Sequence, residues 1–228
     1  KPANSAFDDQ NFYNCVVDTY NKENNASISY TTSLSDVQLN EVRHLYCDHK
    51  NVVSAAGVEK LTNLTILDVD NNNLTTLDVS KNKNLTYLNV GSSKDPNLPD
   101  NKLTSLDVSK NLKLEDLNAA ENNLLTLVLP KTKTLKNLNV SGNRLRSLNL
   151  SYYDLEKINV SSNNLNAIIF SNEQTLKKIN ISDNNLTKLD LTGYSKLTLL
   201  DASYNNISDL TLPQKDSFAQ KYLLEELN

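Results

Sequence analysis

Any chemistry in this chain has to begin from a short set of side chains. Its 228 residues hold two histidines, His44 and His49, two cysteines, Cys15 and Cys47, and no methionine. No Cys/His set has the ligand spacing of a zinc site. No serine stands in the G-x-S-x-G turn that exposes a hydrolase nucleophile, and four glycines are too few for a phosphate-cradling loop. Asn21-Lys22-Glu23-Asn24-Asn25-Ala26-Ser27-Ile28 places oxygen side chains at the first, third and fifth places of a calcium loop. Ala26 stands where such a loop turns on glycine, and Thr32 where it needs a bidentate glutamate, so the stretch reads as a polar loop and no metal is assigned. Acids and amides are many, but they recur in register at Asp68, Asn89, Asn118, Asn139, Asn159, Asn180 and Asp201. That is the pattern of a polar ladder or a wet binding face, not of an isolated acid–base pair. Lys81, Lys110 and Lys131 recur in the same way, as a solvated edge or a seat for an anionic polymer. No catalytic residue and no cofactor is assigned.

The recurrence sets the architecture. Leu176-Lys177-Lys178-Ile179-Asn180-Ile181-Ser182-Asp183-Asn184-Asn185-Leu186 fits L-x-x-L-x-L-x-x-N-x-L, the leucine-rich-repeat signature. Ile179 and Ile181 alternate with Lys178, Asn180 and Ser182, so a short strand turns apolar residues in and polar residues out. The signature opens at Val42, Leu64, Leu85, Leu114, Leu135, Leu155, Leu176 and Leu197, in steps of 22, 21, 29, 21, 20, 21 and 21 residues. Its turn position is Lys50, then Asn72, Asn101, Asn122, Asn143, Asn163, Asn184 and Asn205. A buried Asn amide carries donors and an acceptor, enough to satisfy backbone groups of its own coil and of the next. A second apolar triplet comes later in each coil, such as Leu74-Leu77-Val79 or Leu186-Leu189-Leu191, again with period two. The return wall is therefore extended or short β, since a coil of about 21 residues has no room for a long helix. These features predict a leucine-rich repeat solenoid: an α/β-class horseshoe of mostly short parallel β-strands with little helix, closed by an N-terminal helical cap.

Residues 1–41 precede the repeat and form that cap, which the exposed apolar end of a first coil requires. Asp8 is the expected N-cap of a helix, with Phe7 and Phe12 as its hydrophobic staple and Phe12, Val16 and Tyr20 as its apolar face. Ser33-Leu34-Ser35-Asp36 opens a second short helix running through Leu39. Cys47 takes an inward strand position, as a small buried hydrophobe. Whether it bonds Cys15 depends on a Cα spacing that sequence does not show. Residues 42–228 then make eight coils. The step of 29 marks an insertion, Gly91 to Asp100, whose two prolines make it a loop, either part of a binding face or a tolerated bulge. At the end, Leu224-Glu225-Glu226-Leu227-Asn228 restates a coil opening, as in Leu114-Glu115-Asp116-Leu117-Asn118. The chain there is either cut inside a ninth coil or closed by a cap helix from Ser217 with Phe218 and Tyr222 on one face.

The net charge of −4 argues against a nucleic-acid binder. No stretch is apolar and long enough to span a bilayer, and with no initiator Met the signal peptide is expected to have been removed already. Leu-Asp-Val-Ser-Lys-Asn at 77–82 and 106–111, Leu-Thr-Asn-Leu-Thr at 61–65 and Phe7-Asp8-Asp9-Gln10-Asn11-Phe12 resemble the bacterial secreted and cell-surface leucine-rich-repeat proteins of internalin type. The resemblance runs over nearly the whole chain. The step of 21 departs from it, where internalins usually have 22, and the sequence carries no trailing immunoglobulin-like domain and no anchor. The resemblance implies a non-enzymatic, extracellular or cell-surface binding module, a monomer presenting its repeat surface to a protein or glycan in adhesion or host interaction. The alternative is a structural spacer or assembly element without a ligand of its own. One inner column reads His44, Ile66, Tyr87, Asp116, Asn137, Lys157, Lys178, Leu199. His44, Ile66 and Tyr87 make a contiguous row with Tyr46 beside it, and the insertion, through Asp95, Asn97 and Leu98, leaves the same coil as Tyr87 and could roof it. The competing reading is cross-strand packing that only stabilises the sheet.

Overall fold

The computed structural model describes residues 1–214 and the backbone of 221–223, and it divides into two compact units, 1–132 and 133–228. The first unit opens with α1 (Gln10–Asn24) and α2 (Asp36–Glu41). Strands β1 (His44–Tyr46), β2 (Ile66–Asp68), β3 (Tyr87–Asn89) and β5 (Asp116–Asn118) line one wall; β4 (Ser105–Asp107) and β6 (Thr126–Val128) line the other. Both walls are parallel, and the inner register runs His44, Ile66, Tyr87, Asp116. The second unit repeats the plan. Its inner strands are β7 (Asn137–Asn139), β9 (Lys157–Asn159), β11 (Lys178–Asn180) and β13 (Leu199–Asp201). Its outer strands are β8 (Ser147–Asn149) paired with β10 (Ala167–Ile169), and β12 (Lys188–Asp190) paired with β14 (Asp209–Thr211). A last strand, β15 (Lys221–Leu223), pairs in parallel with β13. It takes up Tyr222, which one of the two expectations for the C-terminus had placed on a helix. Ser217, Phe218 and 224–228 lie outside the described residues.

In each inner strand of three residues one inward side chain stands between two that share the outward face. Leu45, Leu67 and Leu88 are fully buried, and the next inward positions, Cys47, Val69 and Val90, are buried too. The chain then turns. The residue before the ladder Asn has left-handed φ at Asn71, Glu121, Gly142, Ser162, Asp183 and Tyr204. Only one of these is glycine, so a conformation unfavourable to most side chains is held in place by the buried Asn that comes next in the chain.

That amide bonds in two directions. Asn72 donates through Nδ2 to its own coil at the Val69 and Asp70 carbonyls (3.0 and 3.0 Å) and to the preceding coil at Cys47 O (2.8 Å). Its Oδ1 accepts from Lys50 N and Val52 N of that preceding coil (3.1 and 2.9 Å). Asn163 does the same for Val160 and Ser161 in its own coil and for Val140 and Leu145 in the one before. Asn101, Asn122, Asn184 and Asn205 also reach backwards. These asparagines therefore tie their coils to the preceding coil, not to the next as the donor and acceptor capacity of the amide alone suggested. This direction explains Lys50. The first coil has no coil before it, so an Asn there would find no partner set.

The cap fills that place. Asp9, not Asp8, is the N-cap of α1: Oδ1 accepts from Phe12 N (3.0 Å), while Oδ2 accepts from Val53 N (2.7 Å) and Ser54 N (3.3 Å) in the first coil. Only Asp9 can cap the helix and hold the coil at once. Phe7 packs on Tyr13 as well as Phe12, with ring centroids 5.0 and 6.0 Å apart. Ser35 caps α2 in a full capping box with Gln38. The loop after α1 is polar: the Asn21 side chain bonds both Ile28 N and Ile28 O. Cys15 and Cys47 are bonded, with their Cα atoms 5.9 Å apart.

A second ladder runs along the opposite corner. Asn82 donates to Val58 O and Leu61 O (2.8 and 3.0 Å), and Asn111 donates to Val79 O and Asn82 O (2.9 and 2.9 Å); both are fully buried. These asparagines end the two Leu-Asp-Val-Ser-Lys-Asn segments. In the second unit the same corner, marked by the same backbone bond three residues back, holds Tyr153 and Tyr194. The Tyr194 hydroxyl donates to Ser171 O.

Asn163→Ala leaves several buried backbone groups without partners and should lower unfolding free energy by at least about 1–3 kcal/mol, measured by urea denaturation beside an exposed control such as Asn166→Ala. The disulfide closes a 32-residue separation between cap and first coil. Replacing both cysteines by serine should destabilise the chain by about 2–4 kcal/mol, and a reducing agent should reproduce the loss in the parent but not in the variant.

Candidate functional site

Register places the aromatic row as expected. Ile66 lies between His44 and Tyr87 on neighbouring strands, and Tyr46 lies beside Asp68. Tyr46 is 55% exposed, and the His44 side chain is 51% exposed with Nδ1 3.7 Å from Glu23 Oε1 of α1. Ile66 and Tyr87 are half-buried. The inner face of the first unit therefore reads, strand by strand, His-Ile-Tyr-Asp at 44, 66, 87 and 116; Tyr-Asp-Asn-Asn at 46, 68, 89 and 118; and Asp-Asp-Gly-Ala at 48, 70, 91 and 120.

The corresponding face of the second unit is Asn, Lys, Lys, Leu at 137, 157, 178 and 199, then Asn, Asn, Asn, Asp at 139, 159, 180 and 201, then serine throughout at 141, 161, 182 and 203. There the polar groups satisfy one another. Each Asn or Asp oxygen accepts from the backbone N–H two residues on and from the serine hydroxyl, at 2.8 Å for Ser141, 2.7 Å for Ser161 and Ser182, and 2.6 Å for Ser203. The first unit has no hydroxyl in that row. Asp68 keeps the backbone bond from Asp70 N at 3.3 Å, but its neighbour two residues on is a second acid.

Burial, with the charges of Asp70 and Asp48 added, pushes the Asp68 carboxyl up to about 6. Burial also raises Asp70, with Asp48 adding to it and His49 opposing. The Tyr87 hydroxyl is raised by burial first, then by Asp68, Asp70, Asp116 and Tyr46. On the outer wall the same two-residue turn has the opposite effect: the hydroxyls of Ser80 and Ser109 hold Asp78 and Asp107 below the ordinary range. Asp70 Oδ1 is buried without a hydrogen-bond donor. Asp48, His49 and Asp70 bring one ligand atom each within 4.8 Å of one another, and this is the group among the described residues best placed to hold a metal ion. Sequence spacing does not reveal it, because Asp70 reaches the other two across strands. His49 Nδ1 already meets Asp48 Oδ2 at 2.9 Å.

The insertion is fastened at the rim where the inner strands end. Ser93 N donates to Asn71 Oδ1 (2.7 Å), Lys94 pairs with Glu121 (3.3 Å), and Asn101 N donates to Ser92 Oγ (2.8 Å). Asp95 and Asn97 are exposed and bond each other at 2.9 Å, and Leu98 is half-buried. The bonds the insertion makes are therefore to the rim and to itself. Lys81 of the expected lysine edge joins Lys60 and Lys83 in an open groove that also holds Asp36 and Glu59.

No protein-family model matches the chain. Over 79 residues, 35% of this chain and 8% of the relative, it is 35% identical to internalin J of Listeria monocytogenes. The solved functional domain of internalin J aligns over 92% of this chain and 54% of that one, at 28% identity and a TM-score of 0.50. The chain is internalin-like. Internalin C2 of Listeria monocytogenes aligns over 92% of this chain and 91% of its own at a TM-score of 0.64, but at 20% identity, a likeness of fold alone. This internalin-like chain spans about half the length of the internalin J domain and a small part of the whole protein. No helix among the described residues is long and apolar enough to cross a membrane.

Asp68 supplies a test of this electrostatic picture. A carboxyl raised from 3.8 to about 6 favours folding when protonated, so its contribution is full below about pH 4 and lost as pH rises through about 6. Asn already serves at the equivalent positions 89 and 118. Asp68→Asn should therefore stabilise the chain at pH 7.5, by about 1 kcal/mol after solvent screening, and the difference should close below pH 4 in thermal melts.

Proposed function

We propose that this internalin-like chain is a non-enzymatic binding module, and that the inner wall of its first unit, around His44, Tyr46, Ile66 and Tyr87, takes a protein or glycan ligand. The observation that carries the reading is the contrast between the two inner walls. In the second unit the Asn–Ser rows use their own polar groups and present a self-satisfied surface to water. The first unit presents exposed and half-buried rings beside Asp68 and Asp70, which lack such hydroxyl partners. A wall needed only for solubility has no use for that row, and aromatic side chains give interfaces much of their binding energy. Asp95, Asn97 and Leu98 belong to the proposed face as its rim. The Cys15–Cys47 bond fits an extracellular or cell-surface location, because disulfides persist in oxidising compartments. We propose that the chain acts there as a monomer in adhesion or host interaction.

A screen against extracellular proteins and glycans, and then variants of the face, tests the placement. Tyr46→Ala and Tyr87→Ala should each weaken a captured ligand at least about tenfold while leaving the melting temperature nearly unchanged, and deletion of 92–99 should weaken it less. Unchanged affinity in both tyrosine variants would move the binding face to the lysine groove or the outer wall.

A further inference from the structure

The proposed face has a charge character that narrows its partner. Along its three rows stand Asp48, Asp68, Asp70 and Asp116, and no lysine or arginine. Lys94, on the rim insertion, is paired with Glu121, and Arg43 lies outside the rows at the start of β1. Asp68 sits on the strand between those of Tyr46 and Tyr87, paired across with Tyr46 and diagonal to Tyr87. Asp70 Oδ2 accepts from Asn71 Nδ2 at 2.8 Å, and no cationic side chain of the three rows faces either acid.

Resting on the binding reading above, we infer that the partner presents a basic segment, with an arginine or lysine side chain seated between Tyr46 and Tyr87 against Asp68 and Asp70. Ring faces attract cations, and an ammonium or guanidinium adds charge-assisted bonds to two acids whose hydrogen bonds come from neutral N–H groups, Asp70 N on Asp68 and Asn71 Nδ2 on Asp70. A neutral partner would bury their charge without a counter-charge, and an acidic one would add repulsion.

The probe is a hexa-arginine peptide titrated onto the isotope-labelled full chain by NMR at pH 7.5. Amide signals of Tyr46, Asp68 and Tyr87 should move, and affinity should fall with salt. It should fall about tenfold in Asp68→Asn/Asp70→Asn. A hexa-glutamate peptide should leave these signals in place. Failure of hexa-arginine to bind, shifts confined to other acids, equal binding by the double variant, or binding of hexa-glutamate would each overturn the inference. If Tyr46→Ala and Tyr87→Ala abolish a screened ligand while hexa-arginine does not bind, the face stands and the basic partner falls. If those variants bind the screened ligand as the parent does, both readings fall.

Discussion

The buried asparagine amide is the interaction on which the rest depends. A coil of about 21 residues changes direction at corners where the backbone leaves its strand ladder, and each corner buries N–H and C=O groups that must find partners. One side chain with donors and an acceptor serves two coils at once. Asn72, Asn163 and their equivalents accept from one backbone N–H or more of the preceding coil and donate to carbonyls of both coils. With those groups satisfied, the non-glycine residue before the Asn can hold a left-handed turn, and the three-residue strands fall into register. The first outward position of the inner strands, as at His44, Ile66 and Tyr87, is then open to variation, since the turn bonds come from the second outward position and from the ladder Asn.

That freedom is used differently in the two units. Asn and Ser in the second unit close a polar surface on itself. Aromatic rings and carboxylates in the first leave one open. The contrast comes from single positions: a serine two residues after the inner Asn gives its oxygen a hydroxyl donor, whereas Asp70, Gly91 and Ala120 do not. Local hydrogen bonding thus decides, at one row of the repeat, which wall is closed on itself and which is left open.

The repeat, its parallel strands and the extended return wall were legible because the spacing of leucines and asparagines encodes them. Three things were not. The direction of the ladder depends on which neighbour lies within 3 Å of the amide, and the spacing is the same either way. Asp8 and Asp9 are equal as N-caps by type; the choice falls to Asp9 because its second oxygen also meets Val53 N. The Cys15–Cys47 bond depends on the docking of α1, a tertiary distance. At the proposed binding face, the row of His44, Ile66 and Tyr87 could be read from register alone. The rise of Asp68 and the cluster of Asp48, His49 and Asp70 could not, since burial and cross-strand charge set them. Asn82 and Asn111 were visible as the ends of a repeated hexapeptide, a signal that a second corner needed the same amide.

The backward reach of the ladder gives the chain a polarity with respect to its own synthesis. A polypeptide is made from its N-terminus, so each coil emerges after the one it locks onto. The ladder Asn of a newly emerged coil supplies partners that the coil already made still lacks, as Asn72 does for Cys47 O and Val52 N, so such a coil is completed only when the next one arrives. The same asymmetry makes the coil a self-contained unit of duplication: a copied coil brings its own lock, and neither neighbour has to change to receive it.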